Sequence, residues 1–170
     1  MFNEAYDGNY IQIDRKILAE NAAAVTEYVK TPVIAVVKFD GYGMTIAEAA
    51  AAWKKAGAFM FAVAESWEAV ALRQAGFTED ILLMAPVADV NTLGQMLENG
   101  IILTVDDLEN ARFYLENKGD AALRVHVKVD TGMGRFGVRW TDTEQLKAIY
   151  ALEGFAFEGI FSHFGKSFEK

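Results

Sequence analysis

The chain has 170 residues, of which 52% are hydrophobic, and its formal net charge of −8 corresponds to an isoelectric point near 4.8. An acidic protein is repelled by nucleic acid and by anionic membranes, so we expect neither as the main partner. The absence of cysteine excludes disulfides and thiolate metal sites, and the presence of only two histidines, His126 and His163, argues against a multi-histidine metal site.

Neither a signal peptide nor a membrane-spanning segment is evident in the sequence. The N-terminus MFNEAYDGNY lacks the basic and apolar regions of a secretory signal. No apolar stretch approaches the ~18 residues that cross a bilayer. We therefore expect a cytoplasmic globular protein, and the absence of linkers and low-complexity stretches indicates one domain.

Short apolar runs alternate with amphipathic segments along the whole chain. A short strand at 10–13 precedes a helix that Asp14 caps. Further strands are predicted at 33–37, 59–64, 81–85, 101–105, 123–130 and 155–164, and helices at 14–29, 45–56, 66–76, 89–97, 106–119 and 141–152. The later helices are expected to open at Ser66 and at the capping pairs Thr45 with Glu48, Asp106 with Glu109 and Thr141 with Glu144.

Six strands that alternate with helices predict right-handed βαβ units and a parallel sheet. Two closures of this sheet are possible, an open doubly wound sheet or a barrel. The turn after the first of the six strands reads KFDGYGMTIAEA, which lacks the G-x-G-x-x-G spacing of a dinucleotide site. That absence weakens the dinucleotide-binding version of the open sheet.

Functional groups of such folds gather at the C-terminal ends of the strands. Three of these ends carry polar residues, at 38–43, 130–135 and 162–164. The strand LRVHVKVD also alternates strictly, with Arg124, His126, Lys128 and Asp130 on one face. A solvent-facing edge strand would show the same alternation, as would a strand whose polar face lines an enclosed, charge-paired interior.

Each candidate side chain at these ends has an ordinary interpretation beside the functional one. Lys38 could extend into water, or it could be an amine in a partly dry pocket that forms a Schiff base with a carbonyl. Tyr42 is either a packed aromatic or a phenol suited to a phosphate oxygen. Arg135, in a loop with several glycines, is either a surface arginine or a ligand contact, and His163 is either a core histidine or a site residue.

The motifs at these positions resemble those of one known family. AVVKFDGYG at 35–43 is similar to the lysine signature of alanine racemases, which are pyridoxal-phosphate enzymes of fold type III. VHVKVDTGMGRFGV at 125–138 matches the second signature of that family almost residue for residue, and GIFSHF at 159–164 resembles its third conserved segment. YIQIDRKILAENAAAV at 10–25 resembles its opening strand and helix.

This resemblance implies pyridoxal 5'-phosphate as the cofactor and an amino-acid racemase of the alanine racemase type as the activity. Lys38 would be the Schiff-base lysine and the base for one face of the substrate. Tyr42 would contact the cofactor phosphate, Arg135 would lie beside the phenolic oxygen of the cofactor, and His163 would lie beside its ring. Met84 matches a position near the cofactor.

Further expectations concern the substrate side of the same site. Arg135 and Met133 would contact the substrate, a small amino acid such as alanine or serine. Lys128 matches a lysine that is carbamylated in many members, where it becomes an anion that orients the arginine. No metal is implied.

The sequence departs from the family pattern near the lysine and in length. Phe39, Gly41, Met44 and Thr45 replace residues usual in the lysine signature, which puts substrate choice in question. The expected fold is a parallel (β/α) TIM-barrel type, incomplete, with about six of eight strands. Residues 1–170 would be the N-terminal portion of the barrel domain. The C-terminal β domain would be absent, together with its tyrosine, the opposite-face acid–base group.

We therefore expect a fragment that racemises poorly alone, or an association, such as a homodimer, that covers the open barrel edges. One alternative function is a non-catalytic pyridoxal-phosphate-binding protein of the same fold type. Another is an inert scaffold in which Lys38 is merely exposed.

Overall fold

A computed structural model describes residues 11–166. In chain order its helices and strands are α1 (Arg15–Val29), β1 (Ile34–Val36), α2 (Lys38–Tyr42), α3 (Ile46–Lys55), β2 (Met60–Val63), α4 (Ser66–Gln74), β3 (Ile81–Leu83), α5 (Val90–Glu98), β4 (Leu103–Val105), α6 (Leu108–Asn117), β5 (Leu123–Asp130), β6 (Val138–Arg139), α7 (Thr143–Tyr150) and β7 (Phe155–Phe161).

The strands pair in parallel, and apart from the short β6 their spatial order follows their order in the chain. Ala62 of β2 is the register partner of Val36 in β1 and of Leu82 in β3. A parallel bridge between Leu82 and Ile102 links β3 to the start of β4. β5 lies between β4 and β7 and also pairs with the short β6. A doubly wound sheet would reverse its order at a switch point, so the expected incomplete barrel is confirmed, with β1 and β7 as its outermost strands.

The helices cover one face of the sheet and leave the other face concave. Phe61, Leu83 and Leu103 on the covered face belong to the main core, together with helix residues such as Leu72 and Leu93. Burying each such side chain contributes about 1.5–3 kcal/mol. A smaller cluster occupies the concave face: Met60, Ala62, Leu82 and Ile102, with Met84 and Phe161 packed against it. This second cluster is the floor of the cleft described below.

Helix starts were predicted correctly at α1 and at α5, where Asp89 accepts the Thr92 N–H at 2.8 Å. Asp14 caps α1, where its Oδ1 accepts the N–H groups of Lys16 at 2.8 Å and Ile17 at 3.1 Å. Thr45 precedes α3 but makes no side-chain cap. The N–H of Ile46 is instead accepted by Asp40 Oδ1 at 2.7 Å, because the preceding turn brings this carboxylate back over the helix start. The expected pair of Thr45 with Glu48 was wrong.

The other predicted caps are each displaced by one residue. Glu65 rather than Ser66 precedes α4. Asp107 rather than Asp106 caps α6 by accepting the Asn110 N–H at 2.7 Å, and Asp142 rather than Thr141 caps α7 by accepting the Gln145 N–H at 3.0 Å. A carboxylate binds the first-turn N–H groups more strongly than a hydroxyl does. Half-buried Asp106 is disfavoured as an anion, since burial and neighbouring Asp107 raise its pKa to about 6.

The expected strand at 10–13 was wrong for residues 11–13, which belong to no strand and pair with none in the described part of the chain. Residue 10 lies outside the described residues. Several other strands are shorter than predicted, because ladder pairing ends before the apolar run does. The segment Lys38–Tyr42, expected as a tight turn, forms a single helical turn that is left-handed over Phe39–Gly41.

Candidate functional site

A cleft of about 510 Å³ opens at the C-terminal ends of the strands, above the concave-face cluster. Five of the residues proposed from the sequence line it, and they come from four separate strand ends: Lys38, Tyr42, Met84, Arg135 and His163. Parallel strands place their carboxyl ends at one edge of the sheet, which explains why residues so distant in sequence meet here. Their placement agrees with the sequence analysis, while their roles remain predictions.

The turn after β1 is left-handed. Phe39, Asp40 and Tyr42 have φ of 53°, 50° and 57°, and Gly41 between them has φ of 65°. Side chains at such angles cost roughly 1–2 kcal/mol each. A Cβ on Gly41 would lie 2.8 Å from the Cβ of Ala49, so only glycine fits this position.

Main-chain hydrogen bonds close the turn on itself. The Gly41 N–H donates to the Val37 carbonyl at 3.0 Å, and the Gly43 N–H donates to the Phe39 carbonyl at 3.1 Å. Lys38, at the start of this turn, is half-buried, and its Nζ lies 5.2 Å from the centre of the Phe39 ring. The turn therefore directs both the lysine and, four residues later, the Tyr42 phenol toward the cleft.

Glu68 supports this turn from behind the cleft, and the sequence analysis did not single it out. The side chain is fully buried, and its Oε1 accepts the N–H of Phe39. Its Oε2 accepts the N–H groups of Ala64 and Glu65, both at 2.9 Å. A sequence signal existed, because Glu68 lies one helical turn before core residue Leu72 and so occupies a core-facing position.

The glycine-rich loop after β5 is organised around Asp130. Its Oδ1 accepts the N–H groups of Gly132, Met133 and Gly134 at 3.0, 2.9 and 3.2 Å. These hydrogen bonds, that of Gly132 foremost, lower the pKa of the Asp130 carboxyl. The loop carries Arg135 to the cleft wall. Met133 lies in the same loop, 41% exposed, but is not among the residues that line the cleft.

Lys128 lies within the sheet next to the cleft and is 2% exposed. Its Nζ donates to the Val129 carbonyl at 2.7 Å and lies 5.7 Å from the centre of the Phe161 ring. Burial lowers the pKa of this amine, and the Arg135 charge adds to the lowering, against the opposite effect of Asp130. An amine with a lowered pKa is more readily neutral, and therefore nucleophilic.

The polar face of β5 lines the concave interior, which settles the two interpretations left open by its alternation. The strand is not at an edge, and at its start Arg124 forms ion pairs with Asp80 and Glu158. His126 also lines the cleft, and was not proposed from the sequence. Its ring fills the space over Gly159, where a Cβ would lie 2.6 Å from Cε1.

In the part of the chain that the structure describes, the two cations that line the cleft form no ion pair. Among the described residues, neither Lys38 nor Arg135 pairs with a carboxylate, and neither does the neighbouring Lys128. The Arg135 guanidinium lies over the Phe136 ring, 5.2 Å from its centre. Nothing in residues 11–166 groups three or more metal-binding side chains, and no helix there is long and apolar enough to cross a membrane.

Fold and site together define a protein of parallel barrel type whose functional groups, a lysine among them, converge on one mouth. Residues 13–170 match the family described as alanine racemase, N-terminal domain. The alanine racemase of Pediococcus pentosaceus is 41% identical in an alignment that covers 90% of this chain and 44% of that protein. The chain therefore belongs to the alanine racemase N-terminal domain family.

Solved structures give the same result. The alanine racemase of E. faecalis superposes with a TM-score of 0.80 at 36% identity, over 89% of this chain and 43% of that one. A histidine racemase from Leuconostoc mesenteroides superposes with a TM-score of 0.79 at 25% identity, over 88% and 41%. The chain thus spans less than half the length of the relatives that it matches.

Proposed function

We propose that the protein carrying this chain is a pyridoxal-phosphate-dependent racemase of a small amino acid, alanine or serine. Residues 1–170 would form the N-terminal portion of its barrel domain. The observation that carries the proposal is the convergence of Lys38, Tyr42, Arg135 and His163 on one cleft. Relatives named alanine racemase support alanine, whereas the histidine racemase shows that this fold serves other substrates.

The residues present fit the cofactor. Its phosphate and phenolic oxygen are anionic, and the cleft offers the cations Lys38 and Arg135, neither of which forms an ion pair among the described residues. One carboxylate residue, Glu65, also lines the cleft. Its ring is flat and largely apolar, and aromatic side chains such as Phe39 and Phe161 line the same cleft. When bound, pyridoxal phosphate supplies an electron sink for the charge left at Cα as the C–H bond breaks.

Each residue then has a specific task. Lys38 would hold the cofactor by its amine, which would also move the α-proton on one face of the substrate. Tyr42 would serve the cofactor phosphate by its hydroxyl, and Arg135 would serve the phenolic oxygen and the substrate carboxylate by its guanidinium. Racemisation also needs an acid–base group on the opposite face, which we assign to a part of the protein outside residues 11–166.

Two features of the chain extend this proposal. Lys128 combines low exposure, a lowered pKa and proximity to Arg135, and we propose that it is carbamylated so that the resulting anion orients Arg135. The interior side chains Ile34 of β1 and Ile160 of β7 are 39% and 58% exposed, so we also propose that these edges are covered in the whole protein, by further strands or a second copy. The cytoplasmic location stays a prediction.

The experiment that tests the function compares Lys38→Ala with Lys55→Ala, an exposed lysine at the end of α3. Added pyridoxal phosphate should give the visible absorbance of a lysine Schiff base in the unchanged protein and in Lys55→Ala, but not in Lys38→Ala. Borohydride reduction and peptide mapping should place the cofactor on Lys38. Exchange of the α-proton of alanine or serine in D₂O, followed by NMR, should fall by at least about 10²-fold in Lys38→Ala.

The outcomes separate the alternatives. Schiff-base absorbance without α-proton exchange in the unchanged protein would identify a cofactor-binding protein without catalysis. Absorbance that survives in Lys38→Ala would contradict the assignment of Lys38. No absorbance in any variant would leave only the inert scaffold and overturn the proposal.

A further inference from the structure

We infer that Glu68 is a positioning residue for Lys38: its carboxylate fixes the left-handed turn at 39–42 and thereby the direction of the Lys38 amine. The side chain does not line the cleft and acts only through the main chain. An effect of Glu68 on catalysis through Lys38 rests on the proposed function. Its structural role, which is to hold the turn, does not depend on that function.

The contact is made at the peptide that most directly controls Lys38. Oε1 of Glu68 accepts the N–H of Phe39, the group on the far side of the peptide bond from Lys38. Because a peptide unit is planar, holding that N–H fixes the plane that contains the Lys38 carbonyl and restricts the Lys38 ψ angle. The lysine side chain leaves the backbone one bond away from this fixed plane.

The turn needs such an anchor, because it is unfavourable on its own. Phe39, Asp40 and Tyr42 all adopt left-handed angles, and residues held in these regions persist only where the surrounding structure imposes them. Phe39 is 63% exposed, so packing of its side chain does not impose the conformation. The conformation is held instead by the buried carboxylate that binds its N–H, together with the main-chain hydrogen bonds that close the turn.

Glu68 also ties the turn to the protein core. Its Oε2 accepts the N–H groups of Ala64 and Glu65, which follow β2. The helix that bears Glu68 is anchored by the neighbouring core residues Ala69 and Leu72, both fully buried. One side chain therefore connects the ends of β1 and β2 with the start of α4, and the position of Lys38 is set relative to the core.

Burying the Glu68 carboxylate is energetically unfavourable unless both of its oxygens accept hydrogen bonds. A buried carboxylate needs its oxygens satisfied, and here both are occupied by main-chain N–H groups. Its place in the first turn of α4 adds the favourable field of the helix N-terminus. An amide in place of the carboxylate offers one acceptor oxygen only, and its NH₂ group would face an N–H donor.

The test uses the full protein with Glu68→Gln, and Glu48→Gln is its matched control. Glu48 occupies the same third position of a helix, α3, but its Oε1 pairs with Arg15 Nη2 at 2.6 Å on the surface. We expect main-chain hydrogen exchange in peptides covering 37–45 to rise about tenfold in Glu68→Gln, the factor expected for one lost hydrogen bond. It should stay unchanged in Glu48→Gln.

Two reactions report the lysine itself. Capture of pyridoxal phosphate by Lys38, trapped with borohydride, should slow by a factor on the order of 100 in Glu68→Gln, since a displacement of about 1 Å has effects of that size. Reductive methylation with formaldehyde measures the same amine without the cofactor. Its rate at Lys38, relative to the other lysines, should change in Glu68→Gln and not in Glu48→Gln.

The results separate this inference from the proposed function. If the unchanged protein fails to capture pyridoxal phosphate, the proposed function fails, while hydrogen exchange and methylation still decide the role of Glu68. Exchange and Lys38 reactivity that are equal in both variants would overturn the inference. Should Glu68→Gln fail to fold, Glu68→Asp keeps the charge but shortens the reach, and the same local changes are expected of it.

Discussion

The two ends of the concave face use their carboxylates differently. Toward the N-terminal ends of the strands, Arg124 makes two hydrogen bonds of 2.8 Å to Asp80 and two of 2.6 and 3.0 Å to Glu158. Toward the C-terminal ends, Glu68 and Asp130 accept main-chain N–H groups instead. At the N-terminal end of the strands, here called the base, the carboxylates Asp80 and Glu158 pair with the charged Arg124. At the C-terminal end, here called the mouth, the carboxylates Glu68 and Asp130 bind main-chain N–H groups.

This difference explains why the mouth suits an anionic ligand. Carboxylates that are saturated by main-chain donors shape the turns and form no ion pair with the nearby cations, although Asp130 still favours the charged form of Lys128. Lys38 and Arg135 consequently form no ion pair with a carboxylate among the described residues. In barrels of this type the C-terminal end carries function and the opposite end stability, and here the division is visible in how each acid is used.

Gly137→Ala should lower the free energy of unfolding more than any other change considered. A Cβ there would lie 2.9 Å from Lys128 Cγ and 3.0 Å from the Asp130 nitrogen, and the φ of 121° is itself unfavourable for alanine. We expect the free energy of unfolding to fall by about 3 kcal/mol, from strain and overpacking together. Urea denaturation of the full protein measures it.

Gly132→Ala is the matched control, because its φ is 120° but nothing lies within 4 Å of the added Cβ. It should cost about 1 kcal/mol, the backbone strain alone. Equal losses in the two variants would show that the backbone beside Lys128 is not closely packed, and would weaken the contrast between the mouth and the base.

Much of this arrangement could be predicted from the sequence, because it follows from periodicity. Alternating helices and apolar runs gave the parallel sheet, and the rule that sites lie at strand C-termini brought Lys38, Arg135 and His163 to one edge. The interior position of the β5 polar face could not be decided, since an edge strand has the same alternation. That distinction depends on which strands lie on either side.

Local sequence patterns could not predict the left-handed turn or the role of Glu68. Nothing in KFDGYG distinguishes a left-handed turn from an ordinary glycine turn, because the angles of Phe39 and Asp40 are imposed by partners distant in sequence. The cap predictions at α3, α4, α6 and α7 failed for a related reason, whereas Asp14 and Asp89 cap α1 and α5 at the predicted starts. Several adjacent residues near each helix start could serve, and the tertiary position of each carboxylate decided between them.

Arg124→Met should destabilise the protein at the N-terminal end of the strands, because it removes the ion-pair partner of Asp80 and Glu158. Asp80 has a lowered pKa, chiefly through its hydrogen bond from Arg124, so its contribution is present above the unfolded pKa of about 4 and is lost as pH falls through the folded value. We expect a loss of about 1–2 kcal/mol at neutral pH, discounted for partial exposure. The difference from the unchanged protein should close in acid.

Thermal or urea unfolding across a pH series measures this dependence, with Lys147→Met as the control. Lys147 pairs with Glu144 at 2.7 Å on the surface, with side chains 72% and 83% exposed. Its loss should cost less than about 0.5 kcal/mol. A pH-independent effect of Arg124→Met would indicate that packing of the arginine, rather than its charge, holds the base.

Lys128→Met should change stability less than Gly137→Ala or Arg124→Met, and with the opposite sign. Burial lowers the pKa of Lys128, so its ammonium form is penalised in the folded state below the folded pKa, and the penalty is relieved as pH rises toward the unfolded value of about 10.4. In protein freed of carbon dioxide, the substitution should therefore add about 1 kcal/mol at neutral pH. The Val129 carbonyl keeps the Ser162 hydroxyl as a donor at 2.8 Å.

The lowered pKa of Lys128 also favours its proposed carbamylation, since only a neutral amine combines with carbon dioxide. The stability cost of the buried ammonium and the modification therefore have the same cause. With ¹³C-labelled bicarbonate, NMR should show a carbamate resonance in the unchanged protein and none in Lys128→Met. A resonance that persists in Lys128→Met would place the carbamate elsewhere. A stability gain that disappears once bicarbonate is added would show that the anion, by facing Arg135, restores at the mouth the charge pairing already present at the base.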